Sequence, residues 1–429
     1  MQTKNKYKPV VHFTPPANWM NDPNGMVYVN GRYHLFYQYY PAAPNWGPMH
    51  WGHAVSEDLL HWEHLPVALY PDELGCIFSG SCVLDRANVS GLGSIENPPL
   101  IAVYTNHRIS DHLEQQSIAY SLDYEHFEKY YENPVIPNKG KPDFRDPKVF
   151  FNPVKNCYSL VLAAGSKVEF YSSENLKDWE KTGDFEAGVH GLGGICECPD
   201  CFPLMTEDGE KWILIISMIL PPGQAGKDKD SFHRMSHITQ YYVGTFDGDT
   251  FHDTERSALP LLPDYGTDNY AAVTFQNLEE KVMLGWADNW DYAGQAPTDA
   301  DGFRGQMTLA RQMKLVKTAQ GYRLAFSFPG LDSLKASAFP LFPGDNRLHT
   351  QTFGLKTTVN GPGKITFRNS TGESVEIEVT EEEIIVDRRH GGQTGFQKDY
   401  DSDCYGINRA PRLCQNTSIM EIVFDRCIL

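Results

Sequence analysis

The chain lacks any apolar run long enough to span a bilayer; the longest, Trp212 to Leu220, has the length of a buried strand. It is also short of positive charge, with 37 Lys and Arg against 55 Asp and Glu, a net charge of -18 over 429 residues. Nucleic acids and anionic membranes require basic surface, so neither is expected as a partner, and neutral substrates fit better. No apolar stretch follows the basic N-terminal residues Met1 to Lys8, so a signal peptide is not expected and a cytoplasmic location is. The nine Cys are odd in number and irregularly spaced, which argues against a disulfide framework and for reduced thiols. Long helical periodicity is missing as well, so the fold is expected to be all-β.

Aromatic residues are plentiful, at 12%, with 8 Trp and 22 Tyr. Their ring faces and hydroxyls suit sugars, although the same residues fill β-sheet cores. Strand-like runs begin near Tyr33, Leu100, Cys157, Lys211 and Lys281, at intervals of roughly 55 to 70 residues, as expected of a repeated supersecondary unit. A second signal follows four of them: a hydroxyl residue, a polar turn, and an aromatic six positions on, in Ser56 to Trp62, Ser121 to Phe127, Ser173 to Trp179 and Thr245 to Phe251. Such a turn closes a β-hairpin, and five copies of a small antiparallel sheet are most economically arranged around an axis as a five-bladed propeller. A two-sheet sandwich accommodates the same spacing.

Composition shifts at Phe328-Pro329-Gly330. Residues 1–330 are therefore assigned to the propeller and 331–429 to a second all-β domain, a sandwich, from the alternating runs Ile365 to Arg368, Val375 to Val379, Ile384 to Val386 and Ile419 to Val423. The sequence stops at Leu429 directly after a strand-like run, so this domain is expected to be shortened. Exposed sandwich core would leave homo-oligomerisation through it open.

The acids carry the chemistry. Asp22 lies in Trp19-Met20-Asn21-Asp22-Pro23-Asn24-Gly25, a composition equally suited to an ordinary surface turn. Asp146 in Phe144-Arg145-Asp146-Pro147, Glu197 in Cys196-Glu197-Cys198-Pro199-Asp200 and Asp268 each precede a repeat's strand by a similar distance. Equivalent blade positions point toward the same axis, so these acids are expected to converge there. Converging like charges is costly, and blade packing does not require it. Carboxylates gathered beside aromatics and neutral donors suit cleavage of a glycosidic bond, in which one attacks as an anion and another donates a proton. Arg145 beside Asp146 is expected to keep that acid ionised, while Glu197, between two Cys, is expected to be the better proton donor through desolvation.

These three acidic segments, with Trp51-Gly52-His53, Phe78-Ser79-Gly80-Ser81 and Phe303-Arg304-Gly305-Gln306-Met307-Thr308, resemble in order the signature boxes of the glycoside hydrolase family of invertases, levanases and exo-inulinases. The likeness runs from about His12 to about Phe328. It implies a five-bladed propeller joined to a β-sandwich and a retaining mechanism on β-fructofuranosides, such as sucrose, fructo-oligosaccharides, inulin or levan. By that resemblance Asp22 is the nucleophile, Glu197 the general acid/base and Asp146 the transition-state stabiliser, acting with Arg145. Asn21, Gln38, Trp46, Phe78, Ser79 and Trp286 match positions that contact the fructosyl unit.

No cofactor is implied. Cys196, Cys198 and Cys201 crowd around the acid without a clear fourth ligand, and His50 with His53 or His61 with His64 lie where strand geometry separates them, so no metal is assigned. The runs Gln116 to Ser121, Asn133 to Pro137 and Lys167 to Ser172 look more like the levanase and exo-inulinase branch than the sucrose-6-phosphate branch. Exo-acting release of fructose is the expectation. A sucrose-6-phosphate hydrolase or a fructosyltransferase would share the named residues, and a sugar-binding propeller without activity would normally have lost one of the three acids.

Overall fold

In the computed structural model, strands adjacent in sequence pair into successive antiparallel sheets, and the residues described are all except 1–5, 191, 222–234, 258–259, 332–339, 349, 351, 393–406, 412–417 and 425–429. Blade one comprises Asn18–Val29, Arg32–Tyr40, His50–Ser56 and Trp62–Leu69, and blade two Cys76–Leu84, Leu100–Arg108, Leu113–Ser121 and Glu128–Lys129. Blade three comprises Phe144–Asn152, Cys157–Ala164, Lys167–Ser173 and Glu180–Glu186, and blade four Ile195–Thr206, Gly209–Ile219, His237–Phe246 and Phe251–Asp253. Blade five is built from Tyr270–Thr274, Val282–Trp286, Arg311–Thr318 and Gly321–Ser327. The fold is a five-bladed β-propeller followed by a β-sandwich.

The apolar runs seen in the sequence are the second strands of the blades. They read as continuous because side chains alternate, and each side faces another blade. On the second strand of blade four, Ile213 and Ile215 pack toward Met283, Met313 and Leu315 of blade five, while Leu214 and Ile216 pack toward Val161 and Phe170 of blade three. Blade two repeats the scheme, with Ile101 and Val103 facing Val149 and Leu160, and Leu100 and Tyr104 facing Phe36 and Trp51. Trp19, Met20 and Tyr37 meet Tyr270, Leu284 and Trp286 between blades one and five. The ring closes there as Phe303–Arg304 pairs in parallel with Asn18 and Trp19 and Tyr28 N–H donates to the Gln276 carbonyl at 3.0 Å.

The recurring hydroxyl-turn-aromatic signal joins the third and fourth strands of blades one to four. Two positions after the hydroxyl an Asp or Asn accepts backbone N–H groups: Asp58 from Leu60 and His61, Asp123 from Glu125 and His126, Asn175 from Lys177 and Asp178, and Asp247 from Asp249 and Thr250. The following residue, Leu59, Tyr124, Leu176 or Gly248, has positive φ. These are Asx turns. Of the aromatics that close them, Phe251 is buried, whereas Trp62, Phe127 and Trp179 are half-buried.

In the second domain Phe353–Val359 pairs with Ser418–Phe424, and Gly363–Arg368, Ser374–Val379, Glu383–His390 and Ile407–Pro411 form a four-stranded sheet. Phe353 and Phe367 meet between the two sheets at 5.4 Å. From this domain Arg388 donates to Thr267 Oγ1 at 3.0 Å and Asp268 Oδ2 at 3.3 Å in the segment leading into blade five. Among the described residues no helix is long and apolar enough to cross a membrane, and the six described cysteines are free thiols. Cys404, Cys414 and Cys427 lie outside the described residues.

Candidate active site

The first strand of each blade contacts the first strands of its two neighbours, so these five line the axis. Each carries a bulge at an equivalent point. Pairing slips between Met20 and Pro23, Ile77 and Gly80, Arg145 and Lys148, Glu197 and Asp200, and Tyr270 and Val273, each interval holding one more residue than its partner strand. A bulge bends the strand and re-aims the side chains next to it. Three of the extra stretches hold residues with positive φ that are not glycine: Asp146 at 65°, Cys198 at 43° and Ala271 at 53°. Such backbone is costly and concentrates where function over-determines the structure.

These bulges bring Asp22, Asp146 and Glu197 together. Asp22 Oδ2 accepts from Ser79 Oγ at 2.6 Å and its Oδ1 from Asn21 Nδ2 at 3.0 Å; Asn21 Oδ1 in turn accepts from Trp19 Nε1 at 2.8 Å. Cys198 Sγ lies 3.5 Å from both Asp22 Oδ2 and Asp146 Oδ2, and its backbone N–H donates to Asp146 Oδ2 at 3.0 Å. Cys196 and Cys201, on either side, turn instead into the apolar layer between blades three and four. Burial raises the Asp22 carboxyl above its ordinary value; the hydrogen bonds from Ser79 and Asn21 pull it back, and the Glu197 charge adds to the rise. Burial likewise pushes Asp146 up, against the attraction of Arg145 and with the repulsion of Glu197 and Asp22.

Arg145 does not do what chain adjacency suggested. Its Nε and Nη2 donate to Glu197 Oε1 at 3.1 and 3.0 Å, and its Nη1 donates to Glu114 at 3.2 Å and to Asp143 Oδ1 at 2.8 Å. The cation is therefore bonded to Glu197, the acid expected to be the proton donor, and Asp146 is raised rather than lowered. Neighbouring strand side chains point apart, so sequence proximity to Asp146 did not become a hydrogen bond.

Asp268 is a second correction. It does not join the other acids: it precedes the blade-five inner strand, where Tyr292 Oη and Arg388 hold it. Tyr270, two residues on, is the side chain that reaches the site, donating its hydroxyl to Glu197 Oε2. Sequence reasoning missed Tyr270, although it lies only two residues beyond Asp268. It also missed Glu114, which binds Arg145, the Phe144 N–H at 2.8 Å and His107 Nδ1 at 3.2 Å. Nothing in the local sequence marks Glu114, because its partners are distant along the chain.

The remaining expected contacts divide by depth. Phe78 stacks on His107 with centroids 4.3 Å apart, and Trp46, 48% exposed, meets Phe78 edge-on at 6.2 Å, so these two form an aromatic rim. Gln38 is buried and donates to Asn24 Oδ1 at 2.8 Å and the Ile77 carbonyl at 3.0 Å. Trp286 is fully buried among Trp19 and Trp290, with its Nε1 unpartnered among the described residues. A buried carboxylate group with an aromatic rim can attack an electrophilic sugar carbon and donate or remove a proton beside it. Among the described residues no cluster of His, Cys, Asp and Glu has the arrangement of a metal site.

Residues 12–326 match the model of the glycosyl hydrolases family 32 N-terminal domain. The chain is 39% identical over 447 aligned positions to the levanase of Bacillus subtilis, an alignment covering 98% of this chain and 64% of that protein. It is also 39% identical to the levanbiose-producing levanase of the same organism, over 75% of this chain and 62% of the relative. The chain thus spans just under two thirds of the length of both levanases. The crystal structure of exo-inulinase from Aspergillus awamori superposes with a TM-score of 0.83 at 30% identity, covering 98% of this chain and 89% of the other.

Proposed function

The chain belongs to glycosyl hydrolase family 32, and from that premise we propose that it is a retaining β-fructofuranosidase that releases fructose from the non-reducing ends of fructans and fructo-oligosaccharides, with sucrose as a further substrate. The observation that carries this reading is that Asp22 and Asp146 meet at the Cys198 thiol while Glu197, the residue before Cys198, is near enough for its charge to act on both, the three acids coming from three different blades.

In the reading we favour, an Asp22 oxygen attacks the anomeric carbon of the terminal fructosyl unit while protonated Glu197 donates its proton to the departing glycosidic oxygen. The fructosyl-Asp22 ester that results is attacked by water, which gives its proton to Glu197 as the ester bond breaks and Asp22 is restored as carboxylate. Asn21 and Ser79 fix the attacking carboxylate by their hydrogen bonds. Arg145 and Tyr270 hold Glu197 on its two oxygens, leaving its orientation little freedom between the donating and accepting steps. The positive charge of the oxocarbenium-like transition state favours the ionised form of the buried Asp146 beside it, and that carboxylate then stabilises the charge. The levanase and exo-inulinase names of the similar proteins support fructan chains as the substrate class.

The test is a panel of sucrose, sucrose 6-phosphate, 1-kestose, inulin and levan, scored for released fructose and for longer products at high substrate concentration, with Asp22→Asn alongside. Fructose release from chain ends that falls at least about 10⁴-fold in the variant is expected. Near wild-type turnover by Asp22→Asn overturns the nucleophile assignment, and net chain lengthening replaces hydrolysis by fructosyl transfer.

A further inference from the structure

Arg304 makes a set of bonds that the chemistry above does not use. It is 8% exposed, and none of its hydrogen-bond acceptors is one of the three acids. Nη1 donates to the Pro44 carbonyl at 3.0 Å and to Asn45 Oδ1 at 2.6 Å, Nε to the Ala296 carbonyl at 3.1 Å, and Nη2 to Asp299 Oδ2 at 3.0 Å. Of its four acceptors only Asp299 is charged, and it is half-exposed; the buried Asp288 also feels the Arg304 charge. The other three acceptors are neutral, and two of them lie on the loop between the second and third strands of blade one, directly before Trp46.

The base of this clamp is rigid. Phe303 and Arg304 pair with Asn18 and Trp19 at the start of the strand that delivers Asp22. Gly305, at φ 86°, passes so close that an added Cβ would lie 1.9 Å from the Met20 carbonyl oxygen and 3.1 Å from Trp286 Nε1. From the same strand Asn18 Nδ2 donates to the Pro41 carbonyl at 2.6 Å, at the opposite end of the loop. Inside the loop a Cβ on Gly47 would fall 2.5 Å from the Tyr40 ring, so the turn after Trp46 is also tightly seated.

We propose that Arg304 is a positioning residue, which ties the Pro44-Asn45 turn to the Asp22 strand and thereby sets Trp46 against Phe78 as the outer wall of the substrate cleft. The wall's function rests on the fructosidase reading; the clamp does not. Asp146 and Ser79 are buried and Trp46 is at the surface, so Trp46 meets a bound fructoside from the outer edge of the cleft. Fork geometry is needed to reach acceptors in two directions, and a lysine cannot supply it.

Hydrogen exchange and kinetics on Arg304→Gln and Arg304→Lys test this. Exchange in residues 41–49 is expected to quicken by at least about tenfold in both variants, with the Asp22 strand unchanged, because loop order is local. KM for 1-kestose is expected to rise about fivefold with kcat within about twofold, the size of one lost aromatic contact. Adding Arg304→Gln to Trp46→Ala is expected to raise KM little further, since both act on one wall. Unchanged exchange in 41–49 in a folded variant overturns the clamp, and a full further rise in KM in the Trp46→Ala background overturns its action through Trp46. Asn45→Ala, at an exposed position, removes one bond without threatening folding and must quicken the same segment. If no fructoside is turned over, the exchange result still decides the clamp, and it is the function that fails.

Discussion

Ser79 of blade two donates its hydroxyl to Asp22 of blade one, Oγ to Oδ2 at 2.6 Å, so the carboxylate of one blade is held by its neighbour. The bond favours the ionised form, opposing the burial that raises Asp22. Ser79→Ala should therefore raise the Asp22 pKa further. An attacking group must be deprotonated, so the acidic limb of the kcat/KM profile is expected to move to higher pH by about one unit, the size of one hydrogen bond to a charged group. A limb that stays in place or moves to lower pH contradicts the assignment of Asp22 to it.

Tyr270 and Arg145 bind opposite oxygens of Glu197. Tyr270→Phe keeps the buried ring but frees Oε2, so Glu197 loses one of its two constraints. A fall in kcat of about tenfold with little change in KM is expected, the mark of a group that acts in the transition state rather than in binding. An equal rise in KM would instead make Tyr270 a substrate contact.

Asp146 is buried and raised above its ordinary value, so in its charged form it destabilises the fold. A carboxyl whose folded pKa exceeds its unfolded one weakens the native state increasingly as pH rises above the unfolded value, and fully above the folded pKa. That cost is relieved as pH falls toward the unfolded value of about 3.9. Asp146→Asn should remove the cost at neutral pH. A rise in Tm of about 2 °C at pH 7 is expected, together with a loss of at least about a hundredfold in kcat. Calorimetry at pH 7 checks the first; a lower Tm would mean that the Arg145 attraction outweighs burial.

Lys148 and Asp200 form a buried pair behind the site, 3.1 Å apart, with Lys148 Nζ also on the Thr274 carbonyl at 2.5 Å. Burial lowers the Lys148 pKa while Asp200 pulls it up, so the charged lysine depends on its partner. Lys148→Met leaves Asp200 only the Thr274 N–H and hydroxyl donors and the charge of Lys281, and is expected to cost up to about 3–5 kcal/mol in urea unfolding. Lys148→Met with Asp200→Asn should recover much of that loss. A single variant as stable as the parent would show the pair to be unnecessary.

Much of the architecture was legible because propeller strands write it twice. The second strands are buried on both sides, so Ile213 to Ile216 had to be apolar without interruption, and the Asx turns recur with an aromatic at fixed spacing. The three acids were legible from their repeat phase and their resemblance to family boxes. Asp268 shared the phase but not the outcome, because Arg388 of the second domain and Tyr292 engage it before the inner strand begins. Glu114 left no local trace, since its meaning comes from Arg145, Phe144 and His107.

The sequence by itself determined the all-β propeller and sandwich, the net negative charge and the acidic residues the axis could receive, since burial pattern and turn chemistry are local properties of a chain. Only the tertiary structure decided which groups those acids meet: Arg145 on Glu197 instead of Asp146, Ser79 on Asp22, and Tyr270 in the place expected for Asp268. The reason is the extra residue in each inner strand. A bulge re-aims side chains by an amount that alternation along the strand does not encode, and partners supplied by other blades come from tens of residues away.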